Sequence, residues 1–430
     1  MMIKNTVLPT TVNPSRTRLV FSTGQWVTRM QANEHAVELS RGGIPEGTAV
    51  MTARGPVPVE NLDVNDRVYA LEVTTDLVKL KPVVNIESFN YSGPIIHAEA
   101  RRIDLRLHPE QRLPYRTKAI DMVRFQRAGD IETQSAYHLI SEWQSTPGRR
   151  LETVDVTDYV SEFEASVSID CHGHTFRAAL PEGCEPTGRN GVTGYHFDSK
   201  TFKEYQDTLE SLGSEVFIRD SKNHWRRPYR FDGDDFIRFL GWFVTEGSIT
   251  RTSDRDSAAI SIEQKTPKYC RRLERLFDRM GLDVDDSGSS YSFGSKVYAR
   301  LLEQLCGKRS KSKHLPELTW NLSTEQQELL LSVLIDGDGN DWDVYYTSSD
   351  QLAKDVARLC VEVGLKPRYG YPNGIWEHYI GQVNDRLHSG RQTSRADVHD
   401  RFYRLTVADY HVVLMGRNGK FQWVGVSKVS

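Results

Sequence analysis

The chain has 430 residues, of which 38% are hydrophobic and 26% charged, so it is long enough for two or three domains with substantial cores. Its 55 Lys and Arg residues are balanced by 58 Asp and Glu residues, so bulk charge does not indicate a nucleic-acid partner. Five scattered cysteines argue against a disulfide framework, and the sequence contains neither an apolar run of membrane-spanning length nor the apolar core of a signal peptide. We therefore expect a soluble, cytoplasmic protein.

The N-terminal third changes in character at residue 43. Residues 1–42 contain few patterns and are interpreted as an N-terminal arm or flanking segment. From residue 43, short β-type segments are separated by Pro and Gly, at 43–52, 55–62 and 66–71. This pattern predicts an all-β module whose N-terminal part covers residues 43–148.

Residues 149–230 are the least regular, and we interpret them as a linker or a DNA-contacting subdomain. The stretch 166–176 predicts two strands around a turn. The stretch 225–230 (WRRPYR) combines planar and cationic side chains that can follow a nucleic-acid backbone, and a solvated linker is an equal alternative. Four residues of metal-ligand type make zinc conceivable, although their spacing matches no strong zinc pattern: Cys171, His172, His174 and Cys184.

Two apolar helices, predicted from Asp235 and from Ser323 onward, each end in an acid followed by a glycine. Asp234 or Asp235 is expected to cap the first helix, and Ser323 with Gln326 forms a capping box for the second. Helical spacing predicts a buried stripe on each: Phe236, Phe239, Leu240 and Phe243, then Leu329, Leu330, Val333 and Leu334.

The two terminal acids, Glu246 and Asp338, occupy an unfavourable position. A carboxylate in the last turn of a helix is disfavoured by roughly 0.3–1 kcal/mol unless a cation compensates it. If the helices pack side by side, these acids offer hard oxygen ligands for Mg²⁺, where scissile phosphates could be held. The alternative is two buried helices with glycine caps whose acids point to water.

The segments that follow the two helices echo each other. An alternating strand at 258–262 precedes a helix closed by Gly281, and a strand at 344–347 precedes a helix closed by Gly364. Residues 221–314 contain 19 Lys and Arg against 13 Asp and Glu, a local excess of 6. This repetition predicts two pseudo-symmetric halves in one chain, and a monomer so built can present both halves of a sheet to DNA. The strand residues expected to reach groove edges or phosphates are Ser248, Thr250, Arg251, Arg255 and Lys265.

The segments 239–247 and 331–339 resemble the two motifs of LAGLIDADG homing endonucleases. The resemblance implies two α/β halves joined through the motif helices, a saddle-shaped sheet on a long asymmetric DNA site, and Mg²⁺-dependent cutting of both strands. It also implies that Glu246 and Asp338 bind the metal. The remaining motif-helix positions are Gly241, Gly247, Asp336 and Gly339. One departure is Val333, where the family usually has a glycine, and it should hold the helices apart unless Ser332 makes room.

A basic stretch at 307–316 precedes the second motif. The family has a lysine before the proline of this stretch, and Lys313 is the matching residue, where a cation can steady the phosphate. The alternative is a basic loop touching only solvent or DNA backbone, and its other DNA-binding candidates are Lys308, Arg309 and Lys311. Residues 367–402 contain no lysine, so we expect unequal cutting of the two strands unless an arginine substitutes: Arg386, Arg391 or Arg395.

The segments 43–62 and 403–425 resemble the opening and the close of an intein, the Hint module that splices itself from a precursor. The chemistry of splicing needs a thiol or hydroxyl nucleophile, a catalytic histidine and a terminal His-Asn pair. Gly43 stands at the first position and Gln111 at the second, while His108 occupies a threonine position and 423–427 has neither terminal residue. Only His411 of the later block is present, and His108 as a relocated catalyst is the less favoured reading.

The sequence therefore predicts a multidomain protein, an all-β Hint-like module (43–148 and 396–430) split by an α/β endonuclease of two repeats (231–395). The predicted activity is Mg²⁺-dependent, site-specific cleavage of double-stranded DNA on a scaffold unable to splice, in a prokaryotic or phage setting. The alternatives are a DNA-binding protein without cleavage and a self-splicing intein.

Overall fold

The computed structural model describes residues 42–117, 120–219, 226–252, 257–381 and 385–428. Apart from Gly42, the predicted N-terminal arm lies outside the described residues. None of the described helices is both long and apolar enough to cross a membrane.

The first part of the chain consists mainly of strands. They are β1 (Ile44–Pro45), β2 (Ala49–Thr52), β3 (Gly55–Pro58), β4 (Arg67–Glu72), β5 (Leu77–Ala100), β6 (Ile103–Leu107), β7 (Arg112–Thr117), β8 (Ile120–Arg127), β9 (Tyr137–Leu139), β10 (Gln144–Ser145) and β11 (Thr153–Asp155).

The second part mixes strands and two helices. They are β12 (Glu164–Ser168), α1 (Gly173–Ala179), β13 (Gly188–Asn190), β14 (Gly194–Asp198), α2 (Ser199–Leu212), β15 (Glu215–Arg219), β16 (Arg226–Arg227) and β17 (Arg230–Asp232). The prediction of two strands over 166–176 is wrong in its second half. The chain turns into α1 there because Phe176 stacks on the ring of Tyr195, with 4.7 Å between centroids, and thereby joins the core.

The third part repeats an order of helix, strand and helix. Its elements are α3 (Gly233–Glu246), β18 (Gly247–Thr252), β19 (Ser257–Glu263), α4 (Pro267–Met280), β20 (Asp285–Asp286), β21 (Ser290–Gly294), α5 (Lys296–Cys306), α6 (Thr324–Asp338), β22 (Val344–Thr347), α7 (Asp350–Glu362), β23 (Tyr369–Gly370) and β24 (Trp376–Tyr379). The strands form two antiparallel sheets, in the orders β18-β19-β21-β20 and β22-β24-β23. Gly281 and Gly364 follow α4 and α7 with φ of 61° and 75°, left-handed conformations that favour glycine.

The last part returns to β structure. Its elements are β25 (Arg386–Leu387), α8 (Ser389–Gln392), β26 (Thr393–Val407), β27 (Val412–Arg417), β28 (Lys420–Gly425) and β29 (Ser427–Lys428).

One 11-stranded sheet joins the two ends of the described chain. Its order is β1-β26-β5-β4-β2-β27-β28, with β3, β6, β10 and β29 paired at its sides. The hairpin between β27 and β28 turns at Asn418 and Gly419, whose φ angles of 49° and 70° are those of a type I′ turn. Pairing of the last part with the first begins at Arg386, where β25 meets β9, ten residues before the boundary of 396 indicated by the sequence.

Helix caps decide where the two motif helices begin. Asp232 caps α3 by accepting a hydrogen bond from the N–H of Asp235 at 3.1 Å, so the prediction of Asp234 or Asp235 as the cap is wrong. Those acids bind other residues: Asp234 accepts from Arg150 at 2.9 Å, and Asp235 accepts from Arg279 at 2.7 Å. Ser323 caps α6 as predicted, accepting from the N–H of Gln326 at 3.4 Å.

The capping box at α6 is only half formed. The Gln326 side chain does not return to the cap but binds the backbone of Leu151, accepting from its N–H and donating to its carbonyl, both at 2.8 Å. It thereby attaches α6 to the segment that precedes β11.

Helix α7 is anchored on the large sheet through a separate hydrophobic cluster. The Trp143 indole N–H donates to the carbonyl of Val361 at 3.0 Å. Arg358 donates to the carbonyl of Ala53 at 2.6 Å and to the hydroxyl of Tyr69 at 3.0 Å. Since these groups are buried or nearly so, α7 is held by the β-structure at the two ends of the chain.

Candidate functional site

Helices α3 and α6 pack against each other, and a glycine on α3 faces a branched side chain on α6. A Cβ atom at Gly241 would lie 2.8 Å from Cγ1 and 3.0 Å from Cβ of Val333, so valine fills the space that the glycine leaves. The expectation that Val333 spreads the helices unless Ser332 makes room is wrong, because Gly241 makes the room. The Ser332 hydroxyl instead donates to the carbonyl of Leu329 at 2.7 Å within its own helix.

One turn further along, the roles of the helices are exchanged. A Cβ atom at Gly337 on α6 would lie 2.3 Å from Oγ1 and 2.6 Å from Cβ of Thr245 on α3. The Thr245 hydroxyl donates to the carbonyl of Gly241 at 3.2 Å. Each level of the crossing thus pairs one glycine with one branched residue, and the helix backbones approach closely toward their C-terminal ends.

Both motif helices end at the acids identified in the sequence. Glu246 is the last residue of α3 and Asp338 the last residue of α6. The following glycines close the helices, and the N–H of Gly339 donates to the carbonyl of Ile335 at 2.9 Å. A Cβ atom at Gly247 would lie 2.3 Å from Cδ2 and 2.4 Å from the backbone oxygen of Phe243, so movement of the phenyl ring alone would not admit a larger residue.

The electrostatics of the two acids show that they share one environment. Burial raises the pKa of Glu246 to about 7, assisted by the negative charges of Asp338 and Glu263. Burial also raises the pKa of Asp338 to about 6, against the opposing influence of the positive charge on Lys313. The two carboxyl groups therefore resist ionisation together when no further cation is present.

Glu263 is an acid of this region that the sequence analysis missed. Gly247 pairs with Ile262 in the antiparallel ladder of β18 and β19, so the next residues outward, Glu246 and Glu263, meet at the same end of the strands. Glu263 itself is exposed. The signal was available, because Glu263 directly follows the alternating strand 258–262.

Lys313 is buried beside helix α3. Its side chain is only 2% exposed, its ammonium donates to the carbonyl of Phe243 at 2.5 Å, and it lies 3.4 Å from the centroid of the Phe243 ring. Burial lowers the pKa of Lys313 to about 8, while the neighbouring Cys306 and Asp338 act in the opposite direction. The basic-loop alternative is therefore wrong for Lys313, which is buried beside α3.

The pair Glu246 and Asp338 fits a divalent cation by its chemistry. Carboxylate oxygens are the ligands that Mg²⁺ prefers, and two acids with raised pKa values are stabilised when a cation joins them. Mg²⁺ takes few protein ligands, so water and phosphate oxygens can complete its coordination.

The zinc ligands conceivable from the sequence are not assembled. Cys171 is exposed whereas Cys184 is buried. Within the ranges that the structure describes, no group of three or more His, Cys, Asp or Glu side chains is arranged to hold a metal ion. Zinc at these residues therefore has no support.

Asp336 does not join the two acids at the helix ends. Its carboxylate accepts a hydrogen bond from Arg272 of α4, in a partly exposed ion pair. This residue therefore links a motif helix of the second half to a helix of the first half.

The predicted DNA-contacting cations divide into exposed and paired residues. Lys265, Arg309 and Lys311 are exposed, and Lys308 is half-buried. Arg251 stands two residues after the buried Ile249, so both side chains lie on the helix-covered face of their strand. There Arg251 forms an ion pair with Glu303 of α5 at 2.5 Å. Arg255 lies outside the described residues.

The described cations of 225–230 are used within the protein. Arg226 binds Glu215, and Arg230 binds Asp155 at 3.2 Å as well as Glu210. Arg227 is 5% exposed and donates to two backbone carbonyls. The prediction that this stretch follows a nucleic-acid backbone is therefore unsupported for these three residues.

Three arginines were considered as an equivalent of Lys313 in the second repeat, and they lie in the last part of the chain, on β25, α8 and β26. Arg386 belongs to β25, which pairs with β9, and Arg391 is an exposed residue of α8. Arg395 donates to the carbonyl of Gly129 at 2.8 Å. None of them stands beside the acids as Lys313 does.

Two of the positions compared with splicing residues lie at one cleft. Gly43, Gln111 and Val426 line it, and the Gln111 side chain donates to the carbonyl of Gly425. A Cβ atom at Gly43 would lie 2.8 Å from Cζ of Phe89, so the cleft has no room for a nucleophilic side chain there unless that ring moves.

The two histidines of this region have structural contacts. The His108 ring lies 4.5 Å from the Tyr91 ring, centroid to centroid, and burial lowers the pKa of His108. The backbone carbonyl of His411 accepts a hydrogen bond from the N–H of Val426 at 2.7 Å, which brings the end of the described chain to the cleft.

No family model matches the chain. It is 20% identical over 362 residues to an ATP-dependent Clp protease proteolytic subunit from Chlamydomonas moewusii, an alignment covering 79% of the chain and 30% of that protein. It is 23% identical over 160 residues to a DNA polymerase from Thermococcus kodakarensis, covering 35% of the chain and 9% of that protein. The chain therefore spans less than a third of the length of these curated relatives.

Solved structures similar to parts of the chain are intein domains and a homing endonuclease. The AceL NrdHF class 3 split intein is 21% identical with a TM-score of 0.21, covering 23% of the chain and 62% of the intein. A bacterial intein-like domain from Clostridium thermocellum is 21% identical with a TM-score of 0.20, covering 23% and 66%. The homing endonuclease I-WcaI, solved with its DNA recognition sequence, is 13% identical with a TM-score of 0.28, covering 42% and 81%.

Proposed function

We propose that this chain is a metal-dependent endonuclease of LAGLIDADG type that hydrolyses phosphodiester bonds at a specific site in duplex DNA. The observation that carries the proposal is the meeting of Glu246 and Asp338 at the ends of two tightly packed helices, with Lys313 buried beside them. Structural acids at helix ends would gain nothing from being brought together and buried, because their charges repel.

The proposed reaction is attack of water on a scissile phosphate held at the two acids. Bound Mg²⁺ would polarise the phosphate and lower the pKa of the attacking water. A P–O bond forms to the water oxygen, which releases one proton to solvent, as the bond to the leaving sugar oxygen breaks. The leaving oxygen takes up one proton from solvent. Glu246 and Asp338 act as the metal ligands, and they must be ionised to do so.

Lys313 has the proposed role of stabilising charge on the phosphate. One of its three N–H donors is used by the carbonyl of Phe243, which fixes the direction of the side chain. The proposal assigns its remaining donors to a phosphate oxygen near Asp338, where a cation stabilises the developing negative charge.

Duplex DNA would lie along the outward faces of the two repeat sheets. In the first sheet, Ser248 and Thr250 are exposed and alternate with the buried Ile249, so they point away from the helices. Exposed Lys265, Arg309 and Lys311 add cations for phosphate contacts. The 11-stranded sheet serves in this proposal as a Hint-like scaffold that no longer splices.

The decisive test is cleavage of the DNA that flanks the coding sequence, joined without the insertion, in Mg²⁺ or in EDTA. Wild type should cut at one locus only with Mg²⁺, and Glu246→Gln and Asp338→Asn should each lower the rate by more than about 100-fold. Glu328→Gln is the matched control, because this exposed acid lies on α6 roughly 15 Å from Asp338 at 1.5 Å rise per residue. Cutting that survives in both site variants would refute the assignment.

Two alternatives have distinct outcomes in the same experiment. Sequence-specific binding that resists salt, without cutting, would identify a DNA-binding protein. Fragments smaller than the 49.1 kDa chain on a denaturing gel would identify self-processing.

A further inference from the structure

A group of cations lies where the second repeat meets the large sheet. It consists of Arg101 and Arg102 in the turn between β5 and β6, Arg368 just before β23, and Lys420 at the start of β28. We call these four residues the junction patch. They come from three separate stretches of the chain, so only the fold brings them together.

Backbone and side-chain contacts hold the junction patch in place. Arg368 and Lys420 form an antiparallel bridge, which joins the small sheet of the second repeat to the β27–β28 hairpin. The Lys420 ammonium donates to the carbonyl of Ala100 at 3.1 Å, and the Gln422 side chain donates to the carbonyl of Arg102 at 3.2 Å. The turn that carries two arginines is thereby fixed against the strand that carries Lys420.

The charge of the junction patch is poorly neutralised by the protein. The acid that contacts the patch is Asp385, which is buried and already binds Lys366 at 3.0 Å and Gln422 at 2.9 Å. Arg102 reaches this acid only at 3.8 Å. Among the acids in the described ranges, none forms an ion pair with Arg101 or Arg368.

Arg368 shows the effect of this crowding and the direction in which the patch faces. Burial, followed by the positive charges of Arg102 and Arg101, lowers the pKa of Arg368. Its guanidinium lies 4.7 Å from the centroid of the Tyr379 ring, and Tyr379 donates its N–H to the carbonyl of Arg368. Because side chains alternate along a strand, both residues lie on the face opposite the buried His378, which is the outward face of the sheet.

We propose that the junction patch binds the phosphate backbone of duplex DNA and extends the DNA-binding surface from the second repeat onto the large sheet. This inference rests on the proposed function for the identity of the anion. Guanidinium groups bind phosphate oxygens through two parallel hydrogen bonds, and a bound phosphate relieves the mutual repulsion of the four cations. The outward face of the β22-β24-β23 sheet leads directly to the patch, so DNA lying along that face reaches it.

The test is the salt dependence of binding to a fluorescent 40-base-pair duplex of mixed sequence, measured by anisotropy in EDTA with the full chain. Non-specific binding suffices because phosphate contacts supply it. The variant is Arg101→Gln/Arg368→Gln, which removes two charges and keeps most of each side chain. The matched control is Arg54→Gln/Lys203→Gln, which removes two charges already paired with Asp66 and Asp158.

Loss of two phosphate contacts should reduce the slope of log K against log salt by about 1.8, and weaken binding on the order of 60-fold at 0.1 M salt. The control should keep the wild-type slope, and Arg368→Lys should retain most of the affinity. An unchanged slope in the double variant, or an equal change in the control, would overturn the inference. A double variant that loses binding of inorganic polyphosphate but keeps its DNA binding would also overturn it. A wild type that binds DNA but never cuts it would refute the proposed nuclease while leaving this slope test valid.

Discussion

Substitution of Gly241 by alanine tests the tight helix crossing on which the candidate site depends. The added methyl group would lie 2.8 Å from Cγ1 of Val333, which is closer than carbon atoms approach, so one helix must move. Overpacking of this kind costs about 1–3 kcal/mol, whereas replacing glycine inside a helix gains up to about 1 kcal/mol. We expect Gly241→Ala to lower the free energy of unfolding by about 1–2 kcal/mol.

A double-mutant cycle with Val333→Ala isolates the contact from these other effects. Val333→Ala alone removes two buried methyl groups and should cost about 2 kcal/mol. In the double variant the new methyl group of residue 241 occupies the space vacated by the valine. The two costs should therefore not add, and the double variant should be about 1–2 kcal/mol more stable than their sum.

The measurement is urea unfolding of the four proteins in the cycle, followed by far-UV circular dichroism, with a transition attributable to the repeat region. Metal-dependent cleavage should fall in Gly241→Ala and recover in part in the double variant, because the acids at the helix ends move with the helices. Additivity within about 0.5 kcal/mol would show that Val333 does not face Gly241, and the account of the crossing would be refuted.

Four further predictions concern charged groups and the order of strand cutting. Because the pKa of Glu246 is raised from 4.5 to about 7, its ionisation destabilises the metal-free fold as pH rises through that window. Glu246→Gln should therefore add roughly 1–3 kcal/mol to the free energy of unfolding at pH 8 in EDTA and almost nothing at pH 4.5. Urea titration at both pH values measures this difference. Lys313→Met should lower the cleavage rate by more than about 100-fold with unchanged DNA affinity. Because Lys313 stands beside only one of the two acids, wild type should accumulate nicked DNA in a time course on supercoiled plasmid. Direct conversion to linear DNA would contradict unequal rates of strand cutting. Lys366→Met should lower the free energy of unfolding by about 3–5 kcal/mol, because it leaves Asp385 buried without its cation. Adding Asp385→Asn should restore part of that free energy. Equal stability of Lys366→Met and wild type in thermal unfolding would oppose this reasoning.

Features that depend on local sequence were predictable, and features that depend on the meeting of distant segments were not. The two motif helices, their terminal acids and the Ser323 cap follow from spacing and from residues within one turn. The partner of Gly241 is 92 positions away in the chain, so nothing local could indicate that Val333 fills its space rather than spreading the helices. The junction patch is similarly invisible, because its four cations come from three distant stretches.

Some contacts could be expected from information already present in the chain. Arg251 stands two residues after Ile249, and strand periodicity puts both on the same, helix-covered face. Glu263 directly follows the strand that returns to Glu246, so its presence at the site could be expected from the hairpin alone.

The helix crossing also explains why the two repeats belong in one chain. At the first level Gly241 faces Val333, and at the second Thr245 faces Gly337, so each repeat supplies the small residue where the other supplies the large one. Two copies of the first repeat would place glycine against glycine at one level and threonine against threonine at the next, so the second level would hold apart the backbones that the first lets approach. Two copies of the second repeat would reverse the faults without removing them. The packing therefore favours only the mixed pair, and this asymmetry extends to the site, where one acid has a lysine for a neighbour and the other has a third acid.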